Sequence, residues 1–208
     1  MNQTQAAPQR SPTRRLQKQR TRNTVTRSAV ELFSRNGLRD TRTQDVARHA
    51  GVSHGTIFTH FPTRSDLVTA AIGTFAQSLT DRLYDLVRAD AGLPQILAAH
   101  LAAIGEVEPM YIHLVREAAD LPEPARNHWL TVQSAIGTYF GDALNAEIAA
   151  GRVTPMAQAL AFNTWIGLLH HYLANHDLFA PGKSVIGEYG GQLAQHYLQL
   201  ISNKDETS

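Results

Sequence analysis

Cysteine is absent from the 208 residues. Without sulfur at fixed positions the chain has no disulfide framework, cysteine zinc site, iron–sulfur centre or thiol redox sensor. Apolar runs are short, none approaching the roughly 20 residues that cross a bilayer. The basic first segment leads into no apolar stretch or small-residue cleavage site of a secretory signal. No membrane partner and a cytoplasmic location are therefore expected. Aromatics supply only 7% of residues, yet 43% are hydrophobic, enough for a sizeable core in one large domain or two small ones. Charge of one sign is scarce too, because 19 Lys and Arg meet 18 Asp and Glu, a net +1 with the ten histidines neutral.

That small total hides a polarity along the chain. Residues 1–66 contain 12 basic and 4 acidic side chains, a balance of +8, and residues 67–208 contain 7 and 14, a balance of −7. Two different surfaces share one chain.

Residues 1–21 hold Arg10, Arg14, Arg15, Lys18 and Arg20, no acid and two prolines, and read as a disordered basic arm. A helical pattern follows, with Val25, Ala29, Leu32 and Phe33 on one face and Asn36-Gly37 as its end. A second helix fits 42–50 through Val46, Ala47 and Ala50, with Thr41 and Gln44 at capping-box spacing. Ser53 caps a third, short helix that turns Ile57 and Phe61 inward and stops before Pro62. Residues 22–66 thus form one unit. After Thr63, a long pattern runs through Leu67, Ala71, Ile72, Phe75, Leu79 and Leu83. Further helices are predicted at about 94–104, 109–120, 124–150, 155–176 and 184–201, with Pro94, Pro109, Pro124 and Pro155 each at a helix start, where a missing N–H is tolerated. No stretch alternates long enough for a strand, and no internal repeat is visible. The expected architecture is all-α, with a second domain over 67–202 and a tail at 203–208.

Two short helices joined by a glycine-containing turn have the physics of a helix-turn-helix. The first braces across the DNA backbone while the second lies in the major groove, which admits one helix. Opposite Ile57 and Phe61, the third helix offers His54, Gly55, Thr56, Thr59 and His60, short or flat groups that let the backbone come close to DNA. A capped helical hairpin with an ordinary polar surface is the other reading. The adjoining +8 favours DNA, since phosphate neutralisation needs Lys and Arg.

At residues 24–72 the sequence resembles the TetR family of transcriptional regulators, through Phe33, Gly37, Thr41, Val46-Ala47, Ala50-Gly51-Val52-Ser53, Gly55-Thr56, Phe58, His60-Phe61-Pro62 and Leu67. The resemblance implies a homodimeric repressor. An N-terminal helix-turn-helix domain would bind a near-palindromic double-stranded DNA operator, and a C-terminal domain would take a small-molecule effector that releases it. It implies that Ser53, His54, Thr56, Thr59 and His60 face bases or phosphates and that Arg64 grips a phosphate. Phe58 stands where the family usually has a phosphate-bonding Tyr, His54 where Lys is common, and Arg42 where a Thr cap is frequent. Arg42, Thr43 and Gln44, with Gly55, complete the expected DNA-facing set. Arg20 and Arg22 in the arm are candidates for the adjacent minor groove, which attracts arginine where it narrows; a solvated tail is the other reading.

An effector pocket needs apolar walls and a few convergent polar groups. Met110, Tyr111, His113 and Arg116, then Trp129, Gln133, Tyr139 and Phe140, then Phe162, Trp165, Ile166, Leu169 and His170 supply candidates, with His100, His113 and His170 as the polar groups to watch. Ordinary core packing is the alternative for each aromatic. His170, His171 and His176 lack the i, i+4 spacing that puts two imidazoles on one helix face, so no metal and no cofactor are expected. Ala161, Trp165, Leu168 and Tyr172, then Val185, Ile186, Tyr189, Leu193, Tyr197 and Leu200, suit an intersubunit four-helix bundle made by the last two helices. A helical enzyme using His113, Glu117 or His170 lacks a nucleophile motif or phosphate loop, and no catalytic residue is expected. A ligand-independent DNA-binding dimer or an activator remain the other readings.

Overall fold

The computed structural model describes residues 12–88 and 91–203. The described residues form ten α-helices in order: α1 Pro12–Asn36, α2 Thr43–His49, α3 His54–His60, α4 Arg64–Leu86, α5 Leu93–Glu106, α6 Glu108–Glu117, α7 Glu123–Ala149, α8 Gln158–Ala174, α9 His176–Phe179 and α10 Val185–Ile201. A 3-10 turn over Ala118–Asp120 extends α6. Among the described residues no helix is long and apolar enough to cross a membrane.

Local sequence explains most boundaries. Gly37 ends α1 at φ +84°, the left-handed conformation that glycine adopts without a Cβ penalty. Ser53 Oγ accepts from Thr56 N–H and caps α3. Ahead of α4, Thr63 Oγ1 accepts from Asp66 N–H while the Asp66 carboxylate accepts from Thr63 N–H, a complete capping box. Val25, Ala29 and Phe33 of α1 meet Val46 and Ala47 of α2, Ile57 and Phe61 at α3, and Leu67 and Ala71 of α4 in one buried cluster.

Four expectations are corrected. Over residues 12–21 the predicted disordered arm is helical and forms the first turns of α1, because residues 13–24 contain no Pro or Gly to stop the helix propagating backwards from Val25; residues 1–11 lie outside the described residues. The box predicted from Thr41 and Gln44 does not form. Thr41 is buried, so its hydroxyl must find a partner, and it donates to the Gly37 carbonyl at 2.7 Å. Pro155 does not open a helix, since residues 152–154 run beside the end of α10: Thr154 N–H donates to Ile201 O at 3.0 Å and Asn203 N–H to Arg152 O at 3.0 Å. Asn203 is thereby tied down rather than part of a free tail, while 204–208 lie outside the described residues. Of the apolar stripes on the last two helices, Ala161, Trp165, Val185, Leu193 and Tyr197 are buried within their own subunit, while Leu200 is exposed.

Within the second domain, a buried carboxylate joins α6 to α10. Glu108, at the start of α6 and only 5% exposed, accepts from Val185 N–H at 2.6 Å and from Ser184 Oγ at 2.5 Å. It thus satisfies donors that open α10 and have no partner within that helix. Removing it leaves the Val185 N–H buried and unpaired. Glu108→Ala is expected to lower unfolding stability by about 2 kcal/mol, read as a shift of the urea midpoint at unchanged slope; a shift below a few tenths of that would remove Glu108 from this role.

Candidate nucleic-acid interface and effector site

Helix α3 presents the expected face. His54, Gly55, Phe58 and Thr59 are exposed and Thr56 is half-buried. The side chains hold one another in place: Ser53 Oγ lies 2.8 Å from Thr56 Oγ1, Thr59 Oγ1 donates to Gly55 O at 3.1 Å, and His54 Nε2 is 3.0 Å from Thr43 Oγ1 across to α2. His54 also meets the Phe58 ring edge-on, centroids 5.0 Å apart. Thr43 therefore holds the His54 ring in place, while Arg42 and Gln44 stand exposed beside it. A Cβ at Gly55 would meet nothing of the subunit closer than Ser53 Oγ at 3.9 Å. Nothing inside the chain requires glycine there.

Among the expected DNA contacts, Arg22 and Arg64 bond within the chain and His60 is half-buried. The Arg22 guanidinium lies 4.2 Å from the Phe61 ring centroid and donates to the His60 carbonyl at 2.6 Å. It clasps α1 to the end of α3, and the segment that precedes it is helical. Arg64 donates to the Leu38 carbonyl and to Thr41 O at 3.5 Å, so its charge braces the α1–α2 turn. His60 is half-buried with Nδ1 turned away from solvent and unpartnered among the described residues. Burial, then the charges of Lys18 and Arg22, push its pKa below the ordinary value. Arg20 remains exposed, on the helix.

The effector candidates do come together, in the interior between α5, α6, α7 and α8. Gln133 Nε2 donates to Tyr111 Oη at 3.2 Å, so the phenol hydrogen is free for His170 Nε2 at 3.1 Å. Trp129 stacks on His170, ring centroids 6.2 Å apart, and Trp165 Nε1 donates to His100 Nδ1 at 3.1 Å. Met110, Phe140 and Leu169 are buried around them, and Phe162 meets Phe140 edge-on. Ile166 is half-buried beside this core. The packing is closed, with Tyr111, Phe140 and Trp165 at 0% exposure. An open groove of about 1500 Å³ lies elsewhere, between α1, α4 and α5, lined by Arg20, Arg27, Arg82 and Glu106 among others.

His113 is not part of that interior. With Glu117 it sits at the junction of the two domains, its Nδ1 3.5 Å from Glu117 Oε1. The Glu117 carboxylate accepts from Leu38 N–H at 3.2 Å and Arg39 N–H at 2.9 Å, and Arg39 pairs with Asp120. A Cβ at Gly37 would stand 3.0 Å from Glu117 Oε1 and 3.1 Å from His113 Nδ1. Sequence reasoning missed this latch, as its partners are nearly eighty residues apart. Among the described residues no group of three or more metal-ligating side chains is assembled.

A basic helix-turn-helix braced against a larger helical domain defines a class, that of two-domain DNA-binding regulators. The model of the bacterial regulatory proteins of the tetR family matches residues 25–71. The match covers the helix-turn-helix and the start of α4, and the described chain shares its fold with a solved TetR-family transcriptional regulator of Thermus thermophilus, at a TM-score of 0.67 and 18% identity over 84% of this chain and 97% of that one. An HTH-type transcriptional repressor of Mycobacterium tuberculosis is 33% identical over 66 residues, 32% of this chain. The chain spans only 35% of that relative's length. The M. tuberculosis HTH-type transcriptional repressor KstR2 is 26% identical over 83% of this chain and 86% of its own. Among solved structures, the transcriptional regulator FadR of Bacillus subtilis in complex with stearoyl-CoA superposes with a TM-score of 0.69 at 16% identity, over 86% of this chain and 98% of that one.

Two outcomes follow from this geometry. Burial lowers the pKa of His100 to about 3 and of His170 to about 4, so both are neutral in the folded chain. Because an unfolded histidine takes its proton near pH 6.5, this stability is whole above that pH and lost as pH falls towards 4, by about 1.4 kcal/mol per unit for each histidine. Urea unfolding at pH 7 and 5 should show the loss, smaller in His170→Gln; the same loss in both proteins would acquit His170. Gly55→Ala should leave the melting temperature unchanged or higher, alanine being the better helix former, yet weaken DNA binding in gel-shift titration. Undiminished binding would place Gly55 away from DNA.

Proposed function

We propose that the chain is a transcriptional repressor that binds its operator as a homodimer in the cytoplasm and lets go when a small, largely hydrophobic effector enters the second domain. The observation that carries this reading is a single helix. Six residues apart on α6, Tyr111 bonds to His170 in the interior and Glu117 holds the amides of the α1–α2 turn. An effector that displaces Tyr111 moves α6 and the carboxylate with it, so α2 and α3 lose their fixed position. Repression is the sign that KstR2 and the other M. tuberculosis relative carry in their names. The aromatic interior, and a neighbour of the same fold solved with stearoyl-CoA, support an effector with a long apolar body.

The dimer surface is the face of α8 and α10 that the subunit leaves outside. Leu160, Thr164, Gly167 and His171 on α8, with Gly191, Gln195 and Leu200 on α10, are exposed. Gly167 and Gly191 have open space where a Cβ would be, which allows close backbone approach. Two-fold symmetry then calls for half-sites on one face of a near-palindromic operator.

Selection of bound DNA from a random pool, followed by challenge of the complex with steroids, fatty acids and their thioesters, tests the whole reading. One near-palindromic sequence is expected, released by members of one compound class with a shift in affinity of about 5- to 150-fold. Glu117→Ala should shrink that shift to a few-fold at most. Sequence-specific binding that no compound relieves would favour a ligand-independent regulator; an unchanged shift in the variant would move the coupling away from Glu117.

A further inference from the structure

The first two turns of α1 stand clear of the helix-turn-helix, with residues 13–20 all exposed. Over residues 12–22 this segment carries Arg14, Arg15, Lys18, Arg20 and Arg22 and no acid. At about 100° per residue, Arg14, Arg15, Lys18 and Arg22 fall within roughly a 100° arc, and Arg20 points elsewhere. Arg22 fixes where that arc faces, because its guanidinium reaches the His60 carbonyl and the Phe61 ring at the end of α3. One turn earlier, the charge of Lys18 still acts on the His60 ring. The stripe therefore runs outward from the end of the recognition helix, on the same side.

The stripe lacks a counter-charge. Among the described residues no carboxylate pairs with Arg14, Arg15 or Lys18. Arg14 with Lys18, and Lys18 with Arg22, are like charges four apart, an arrangement that opposes the helix unless an anion lies alongside. Eleven helical residues span about 16 Å, the rise of about five base pairs at 3.4 Å each along the duplex axis.

We propose that residues 12–22 form a helical basic ridge that lies along the sugar–phosphate backbone beyond each operator half-site, lengthening the contact by about five base pairs per protomer. This rests on the DNA-binding reading above and goes beyond it. The ridge touches phosphates and not base edges, so it adds affinity and salt dependence without adding sequence preference.

The test compares the full chain with its Arg14→Gln/Arg15→Gln/Lys18→Gln variant. Glutamine keeps helix propensity, and none of the three side chains enters the core, so circular dichroism and melting temperature should match. Probes are the strongest selected sequence in two lengths, trimmed to the variant's hydroxyl-radical footprint or extended by eight base pairs on each side, and a duplex of unrelated sequence. The parent should bind the extended duplex more tightly than the trimmed one and protect about five more base pairs per side, while the variant treats both alike. Each lost contact should also reduce by about 3.5-fold the affinity lost between 50 and 200 mM salt, on selected and unrelated duplexes equally. Equal footprints and equal salt slopes in parent and variant overturn the ridge and leave the regulator reading standing. A parent that binds no duplex overturns both. Binding to phosphatidylglycerol vesicles that needs the three cations, with DNA slopes unchanged, also overturns it by giving the ridge a lipid partner.

Discussion

Backbone N–H groups that open a helix or follow a tight turn lack partners of their own, and a buried junction tolerates them only if an acceptor is brought from elsewhere. In this chain one ten-residue helix brings both acceptors that matter. Glu108 at the beginning of α6 receives the donors of α10, and Glu117 at its end receives those of the α1–α2 turn. Hydrogen bonds to a charged group contribute about 1.5–3 kcal/mol each, so α6 is a beam of about 15 Å pinned at two ends. The position of the DNA-reading helices relative to α10 depends on those pins. Gly37 belongs to the same constraint, since its positive φ makes the turn and its missing Cβ leaves room for Glu117.

The arrangement of charge also means something different in three dimensions. Of the cations in the first 66 residues, Arg22 and Arg64 serve the domain itself, one clasping α1 to α3 and the other bracing the α1–α2 turn. What α3 offers outward is hydroxyls, a glycine, an imidazole and an aromatic ring, with no Lys or Arg. The exposed cations stand at the periphery, on Arg42 at the start of α2 and on the first turns of α1.

The helical class, the three-helix domain and most boundaries were legible in the sequence because their causes are local. Glycine at φ +84°, serine at an N-cap and proline after a helix act within a few residues. What could not be read were contacts made over long separations. Thr41 has good capping-box spacing to Gln44, but burial drew its hydroxyl to Gly37. His113 has the composition of a pocket residue, yet its helix turns it to the domain junction. The stripes of α8 and α10 have the period that any buried helix face has, and periodicity does not say whether the partner is the same chain or another. Clustering of Tyr111, Gln133, Trp129 and His170 was closer to legible, since aromatic and amide groups on three helices had to share the one interior available.

That interior constrains any molecule that is to enter it. Tyr111 Oη, Gln133 Nε2 and His170 Nε2 form a satisfied chain of hydrogen bonds with both histidines of the interior neutral. A purely apolar effector that pushed Tyr111 aside would strand these groups, at about 1–3 kcal/mol for each one left unpaired. A typical coupling energy between effector and DNA is of the same size, about 1–3 kcal/mol. Filling space therefore does not suffice, because the gain from burying the apolar body would be offset by broken bonds. An effective ligand needs a polar atom placed where the Tyr111 hydroxyl now stands, able to accept from Gln133 or donate to His170. With that atom, displacement of Tyr111 becomes an exchange of equal bonds, and the remaining binding energy is free to move α6.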